Sequence, residues 1–178
     1  MMLKTLLLIS AGIWLSFFQK KMAPVEDQSK VKFSIKNFGL NVNGSFNGLQ
    51  GSVVFDPSNL SSSQMDVSIK SSSINTGIDS RDNHLRKKDY FDVTNYPSIT
   101  VKSKSISPGT TSGTYIFTGT LYIKNVAKDI IFPFTAKSLN PGFQFNGTFP
   151  LNRRDFGIGG SSISLSDNLS VSLSIITK

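Results

Sequence analysis

Thr114-Tyr115-Ile116-Phe117-Thr118-Gly119-Thr120-Leu121-Tyr122-Ile123 is the stretch that decides the fold of this chain. Tyr115, Phe117, Gly119, Leu121 and Ile123 fall on one phase of a two-residue repeat. Successive side chains of a strand point to opposite faces, so the run reads as a strand with one apolar face.

The same period recurs in both directions. Toward the N-terminus, Val31, Phe33 and Ile35 alternate with Lys32, Ser34 and Lys36, and Val42, Gly44 and Phe46 resume after a bend over 37–41 with Gly39 at its turn. Val53 and Phe55 run into Asp56-Pro57-Ser58-Asn59, which stops a strand with turn chemistry. Met65, Val67 and Ile69 alternate with polar residues, as do Ile99 and Val101 before the turn at Ser107-Pro108-Gly109. Toward the C-terminus come Ile130, Phe132 and Phe134, the break at Asn140-Pro141-Gly142, then Phe143, Phe145, Gly147 and Phe149, and finally Leu169, Val171, Leu173 and Ile175. About eight strands, each with one apolar face and joined by short turns, predict an all-β domain. That domain is a single antiparallel β-barrel or a sandwich.

Composition agrees. The 178 residues suffice for one domain and a short leader. Hydrophobic residues make up 38%, yet 14 are Phe, which suits a thin shell better than a thick core. The formal charge is +8; setting aside Lys4, Lys20 and Lys21 of the leader leaves 16 basic against 11 acidic residues, a net of +5. These cations are mostly scattered singly between apolar positions, as on the outer face of strands. No nucleic-acid role is expected, whereas anionic lipid headgroups at a membrane surface would attract them. The absence of cysteine excludes disulfides, thiolate metal sites, thiol nucleophiles and a lipidated-cysteine anchor.

Lys4 precedes an apolar stretch from Thr5 to Phe18, broken only by Ser10, Gly12 and Ser16. A basic start and an apolar run of this length form the pattern of a secretory signal peptide, expected over 1–22. Ser16-Phe17-Phe18 is a poor small-x-small cleavage motif, so an uncleaved anchor is the alternative. Residues 23–29, polar and holding Pro24, read as a linker, and 30–178 as the domain, periplasmic or secreted.

One segment departs from the strand rhythm. Residues 78–96 carry Asp79, Arg81, Asp82, His84, Arg86, Lys87, Lys88 and Asp89. Asp79 or Ser80 is placed to cap a short helix starting near Arg81. Such an insertion is either a lid or plug at one barrel end or a solvated connection.

The search for chemistry is nearly empty. His84 is the only histidine, so no metal site with two imidazoles exists, and no Gly-x-Ser-x-Gly surrounds a serine. The pairs Asp79/Asp82 and Asp89/Asp92 stand among Arg81, Arg86, Lys87 and Lys88, which reads as ion pairing. Gly159-Gly160 lacks the lysine and helix of a phosphate loop. What remains is aromatic: Phe33, Phe46, Phe117, Phe132, Phe134 and Phe145 share the interior if the strands close. A barrel of this size holds packed side chains or one small ligand. Gly44, Gly119 and Gly147 lie on the same phase as the rings and are expected to open space beside them.

Several ordered motifs resemble the YceI-like family. They are Phe33-Ser34-Ile35-Lys36, Gly44-x-Phe46 and Phe55-Asp56-Pro57, then Ser73-Ile74-Asn75-Thr76-Gly77 and Arg81-Asp82-Asn83-His84-Leu85-Arg86. Asp89-Tyr90-Phe91-Asp92-Val93, the run from Gly119 to Val126, and Asn152-Arg153-Arg154-Asp155-Phe156-Gly157-Ile158 follow. The resemblance implies a lipocalin-like barrel, typically periplasmic, with a polyisoprenoid, an isoprenoid quinone or another long amphiphile in its lumen, and no catalysis. It implies ligand contacts from Phe33, Ile35, Phe46, Phe91, Phe117, Leu121, Phe132, Phe134, Phe145 and Phe156, with Arg81 and His84 at the headgroup or rim. The motif members Asp82, Asp89, Asp92, Arg154 and Asp155 are read as tying the insertion to the barrel end. Where the family often has a Trp and a His-Ser pair before the first strand, and a His after it, this chain has Asp27-Gln28-Ser29-Lys30 and Asn37. Those departures bear on the headgroup end and leave the apolar tunnel intact.

The expected function is therefore carriage, storage or sequestration of a long apolar lipid, with no cofactor besides that ligand. A lipid-modifying cyclase or isomerase and a structural β-domain filled by its own rings are the alternatives. A homodimer through a barrel edge would lengthen the tunnel.

Overall fold

The computed structural model describes residues 20–178. The leader reading falls outside them except at 20–22, where Lys21 and Met22 form a strand of the domain. Ten strands form one antiparallel sheet in the order β1-β4-β5-β6-β7-β8-β9-β10-β2-β3. They are β1 (Lys21–Met22), β2 (Lys30–Asn37), β3 (Leu40–Phe46), β4 (Gln50–Val54), β5 (Gln64–Lys70), β6 (Ser98–Pro108), β7 (Thr114–Ile123), β8 (Val126–Ser138), β9 (Phe143–Asn152) and β10 (Leu165–Thr177). The sheet curls into a lipocalin-like barrel with one short helix, α1 (Asp79–Leu85). Strands β4 to β10 are neighbours in chain order. Short turns join β6 to β7, β7 to β8 and β8 to β9, whereas residues 71–97 with α1 link β5 to β6 and residues 153–164 link β9 to β10.

Ten strands exceed the eight or so expected, and the one that no alternation marks, β1, draws the curled sheet together. Met22 pairs with Val53 of β4. One residue on, Ala23 exchanges both backbone hydrogen bonds with Lys178, at 2.9 and 3.1 Å, and the Val25 amide donates to the Ile176 carbonyl at 2.8 Å. A single short segment thus joins β4 to the end of β10, strands far apart in sheet order. Residues 23–29, read as a linker, belong to the barrel. The Ser29 hydroxyl donates to the Val25 carbonyl at 2.7 Å, and Glu26 Oε1 accepts from the Gly48 amide at 2.6 Å. Polar composition concealed this, because the segment is held by backbone and polar groups rather than by an apolar face.

The two barrel ends differ. At the β1 end Phe55 stands edge-on to Tyr115, Phe143 and Phe145 with centroids 5.1, 5.1 and 5.2 Å apart, and Phe134 lies 6.2 Å away. Edge-to-face rings at such distances gain from their quadrupoles as well as from burial. Met22 and the fully buried Thr177 lie at the same end. The opposite end carries α1, the β2–β3 turn and the loop before β10.

α1 begins two residues earlier than expected, and its N-cap is Ile78, which makes no side-chain capping bond. The insertion is not held by ion pairs either: among the described residues the salt bridges are Lys104–Asp129 and Arg153–Asp167. Arg81 instead donates to the Thr76 hydroxyl and carbonyl at 2.7 and 2.8 Å, and Arg86 to the Ser72 and Ile74 carbonyls at 2.8 and 3.0 Å. The irregular backbone before α1 leaves carbonyls that no strand satisfies, and the five donors of an arginine supply them.

Candidate functional site

The barrel encloses a cavity of ≈ 580 Å³. All twelve side chains expected at the site border it: Phe33, Ile35, Phe46, Phe91, Phe117, Leu121, Phe132, Phe134, Phe145 and Phe156, with Arg81 and His84. They come from five strands, α1, the stretch after it and the 3-10 turn Arg153–Phe156. Strand alternation brings the strand residues inward. Phe117 stacks on Phe132 at 4.9 Å, and Phe132 on Phe149 at 4.4 Å, forming a continuous aromatic wall. Phe46 links β2 to the insertion, with its centroid 5.8 Å from Phe33 and 5.5 Å from Phe91.

The inward glycines act differently from expectation. A Cβ on Gly44 would lie 2.3 Å from Phe33 Cζ, one on Gly119 2.6 Å from the Phe117 ring, and one on Gly147 3.0 Å from the Phe132 ring. Each glycine is therefore a seat for a ring, not ligand space. By letting the ring lie against the sheet, it clears the middle of the lumen. Gly44→Ala is expected to push the tip of Phe33 into the cavity and shorten the longest lipid accepted, with a stability loss of about 1–3 kcal/mol. Mass spectrometry of the released lipid checks this, and an unchanged chain-length distribution would contradict it. The analogous change at Gly119 is a poorer test, since its Cβ would also meet the Lys102 backbone oxygen at 2.4 Å.

Much of the polar lining gathers at the α1 end: Asn37, Thr76, Arg81, His84, Ser161, Ser162 and Ser164. His84 lies with its ring centroid 4.8 Å from Tyr90. The Asn37 side-chain oxygen is buried without a partner, on the residue that stands where the family often has histidine. α1 is fixed above this end by Asp82, which is buried and accepts from the Thr76 amide at 2.9 Å and from its hydroxyl. Asp82→Ala should remove about 1–3 kcal/mol of local stability. Hydrogen exchange of 75–91 would then rise roughly 10- to 100-fold; unaltered exchange there would mean that Arg81, Arg86 and the apolar contacts hold the insertion without Asp82.

Sequence reasoning missed Arg153. It took Arg154 and Asp155 as the residues tying the motif down, yet both are exposed. Arg153 is 4% exposed and donates to the carbonyls of Ser166, Ile158 and Gly160 at 3.0, 2.8 and 2.9 Å and to Asp167 Oδ1 at 2.7 Å. The signal was available in the alternation, because Arg153 continues the inward phase of Phe149 and Leu151. Across the rim, the Gly159 amide donates to the Asp89 carbonyl at 2.8 Å, so the loop that Arg153 holds also grips the insertion.

Fold and site together define an antiparallel β-barrel built around an apolar cavity with one polar end. The YceI-like domain matches residues 23–176, and the chain belongs to that family. A UPF0312 protein of Pseudomonas savastanoi is 34% identical over 137 residues, covering 73% of this chain and 71% of the relative. Among solved structures, Burkholderia cenocepacia BcnA superposes with a TM-score of 0.81 at 25% identity, over 85% of this chain and 98% of the other. The Campylobacter jejuni YCEI protein gives 0.69 at 30% identity, over 78% and 86%. A polyisoprenoid binding domain from Saccharophagus degradans shares the fold at 0.69 and 17% identity, over 88% and 97%.

Proposed function

We propose that this protein holds one long apolar lipid, a polyisoprenoid or an isoprenoid quinone, inside its barrel for carriage or sequestration. The observation that carries the reading is the ≈ 580 Å³ cavity walled by aromatic and aliphatic side chains. Ligand pockets run to roughly 300–1,000 Å³. A lumen of ≈ 580 Å³ left open among inward-facing rings argues against a structural domain filled by its own side chains.

Binding is by burial. Each CH₂ removed from water contributes about 0.8 kcal/mol, so an isoprenoid chain needs no strong polar contact. The twelve lining residues named above are the proposed contacts. The polar end sits beside Arg81, His84 and the unpartnered Asn37 oxygen, which suits a lipid whose head carries a hydroxyl or other hydrogen-bond donor. A binding role fits better than catalysis. The buried carboxylates Asp82 and Asp92 are engaged by Thr76 and Asn95, and neither is in the cavity lining. Export is part of the reading, supported by Lys4 and the apolar run that follows it.

The test is native mass spectrometry of the full chain purified gently from bacterial cells, with extraction of whatever it releases. A mass excess of one long apolar lipid per chain is expected. A lipid-free mass that does not change on incubation with isoprenoid quinone and polyprenyl lipids would overturn the proposal.

A further inference from the structure

The β2–β3 turn places a large ring where neither backbone nor core calls for one. Asn37 and Leu40 are paired, and the two residues between them, Phe38 and Gly39, have φ of 49° and 77°. Positive φ at both centres is the mark of a type I′ turn, whose first centre is ordinarily Asn, Asp or Gly, because left-handed backbone crowds a larger side chain. Phe38 strains that position, and its ring gains nothing from the interior, being 80% exposed. A strained residue with no structural return is a sign of function.

Its neighbours extend the patch. Leu40 is 73% exposed and Ile163 fully so, and the Phe38 amide donates to the Ser164 carbonyl at 2.9 Å, which holds the two loops together. Ile78, half exposed, precedes α1 at the same barrel end. These tips adjoin the polar end of the cavity, whose lining includes Asn37, Ser162 and Ser164. Around Phe38 and Ile163 the surroundings favour an anionic lipid surface, with no carboxylate from residue 28 to 55 or from 156 to 166; the exposed Asp79 stands beside Ile78 only. The exposed Lys36 stands two residues behind Phe38, about 7 Å along the strand.

We propose that this rim docks on a lipid bilayer, with Phe38, Leu40 and Ile163 entering the headgroup–acyl boundary and Lys36 meeting anionic headgroups, so that the cavity end faces the membrane. The proposal rests on the lipid-binding reading above. Three side chains on convex loop tips fall well short of the roughly 800 Å² that each partner buries in a stable protein interface. A bilayer takes up such tips one by one, as it does the apolar face of an interfacial helix.

The experiment uses the full chain and phosphatidylethanolamine–phosphatidylglycerol vesicles carrying a fluorescent long-chain quinone. Vesicle flotation, the rate of quinone uptake, and loading from detergent-dispersed quinone are measured for the wild type and for Phe38→Asn/Ile163→Ser. Asn suits the turn, so the variant should melt at the same temperature or higher. Its vesicle binding is expected to fall roughly 100-fold, and its uptake from vesicles at least roughly tenfold, with detergent loading unchanged. Equal flotation and equal uptake in the two proteins would overturn the docking rim. So would a wild-type dimer that dissociates in the variant without either protein binding vesicles. If neither protein loads from detergent, the lipid-binding reading falls, and flotation alone decides the rim.

Discussion

Phe117→Asp is expected to lose its lipid at neutral pH and recover much of it in acid. Phe117 is 3% exposed, borders the cavity and stacks on Phe132 at 4.9 Å. A carboxylate there stays hydrated while water occupies the lumen, but a lipid chain would strip that water away. Binding then requires the neutral acid. Protonating a carboxyl of ordinary pKa costs about 4 kcal/mol at pH 7, a roughly 1,000-fold loss of affinity. At pH 5 the cost is about 1.5 kcal/mol, a roughly tenfold loss. The sign follows from the group: a carboxylate is charged above its pKa, so binding weakens as pH rises. Phe117→Asn, which does not titrate, should bind weakly at both pH values, and Phe117→Leu should bind nearly as well as the wild type. Quinone titrations on variants with native circular dichroism would decide the matter. Undiminished uptake by folded Phe117→Asp at pH 7 would remove the lumen as the binding site.

The largest expected effect on stability is at Arg153. Its guanidinium is almost wholly buried and serves three backbone carbonyls between Ile158 and Ser166 at 3.0 Å or less, together with Asp167, which is itself half exposed. Arg153→Met preserves the stem but orphans those carbonyls. It should lower the stability by about 3–5 kcal/mol, a drop in Tm of roughly 6–20 °C for a domain of this size. Arg153→Lys should recover little, because an ammonium cannot reproduce the planar fork. The loop over 158–166 should also exchange its amides faster, since its ties to the barrel and to Asp89 act through this side chain. Chemical denaturation of the three proteins provides the measurement. A loss below about 1 kcal/mol would mean the loop is held by its backbone hydrogen bonds and by Phe156 and Ile158, without this side chain.

Particular residues show how far sequence reading reached. Strands such as β2, β7, β9 and β10 are legible because each repeats its apolar residues every second position over several residues, whereas β4 offers only Val53 of the pair Val53 and Phe55. β1 was not legible: two residues have no period, and their bonds to Val53 and Lys178 are made by backbone that every sequence possesses. The lining residues of the strands are legible by parity, and parity marks Arg153 just as clearly, whereas Arg81, His84, Phe91 and Phe156 are marked by the family motifs. The ion pairs expected in the insertion were misplaced, because charge proximity in sequence says nothing about which carbonyls lie within reach of an arginine.

By itself the amino-acid sequence determined the all-β class, the inward faces, the family resemblance and the aromatic character of the interior, since all of these are local or periodic properties. Whether rings that point inward meet and fill the lumen, or lie back and leave it open, is not local. It depends on closure by a two-residue strand, on glycines seated opposite or beside the rings, and on the distance across the barrel. Only the tertiary structure decided that Phe33 rests on Gly44, that ≈ 580 Å³ remains open beyond it, and that the strained Phe38 stands at the rim of that space.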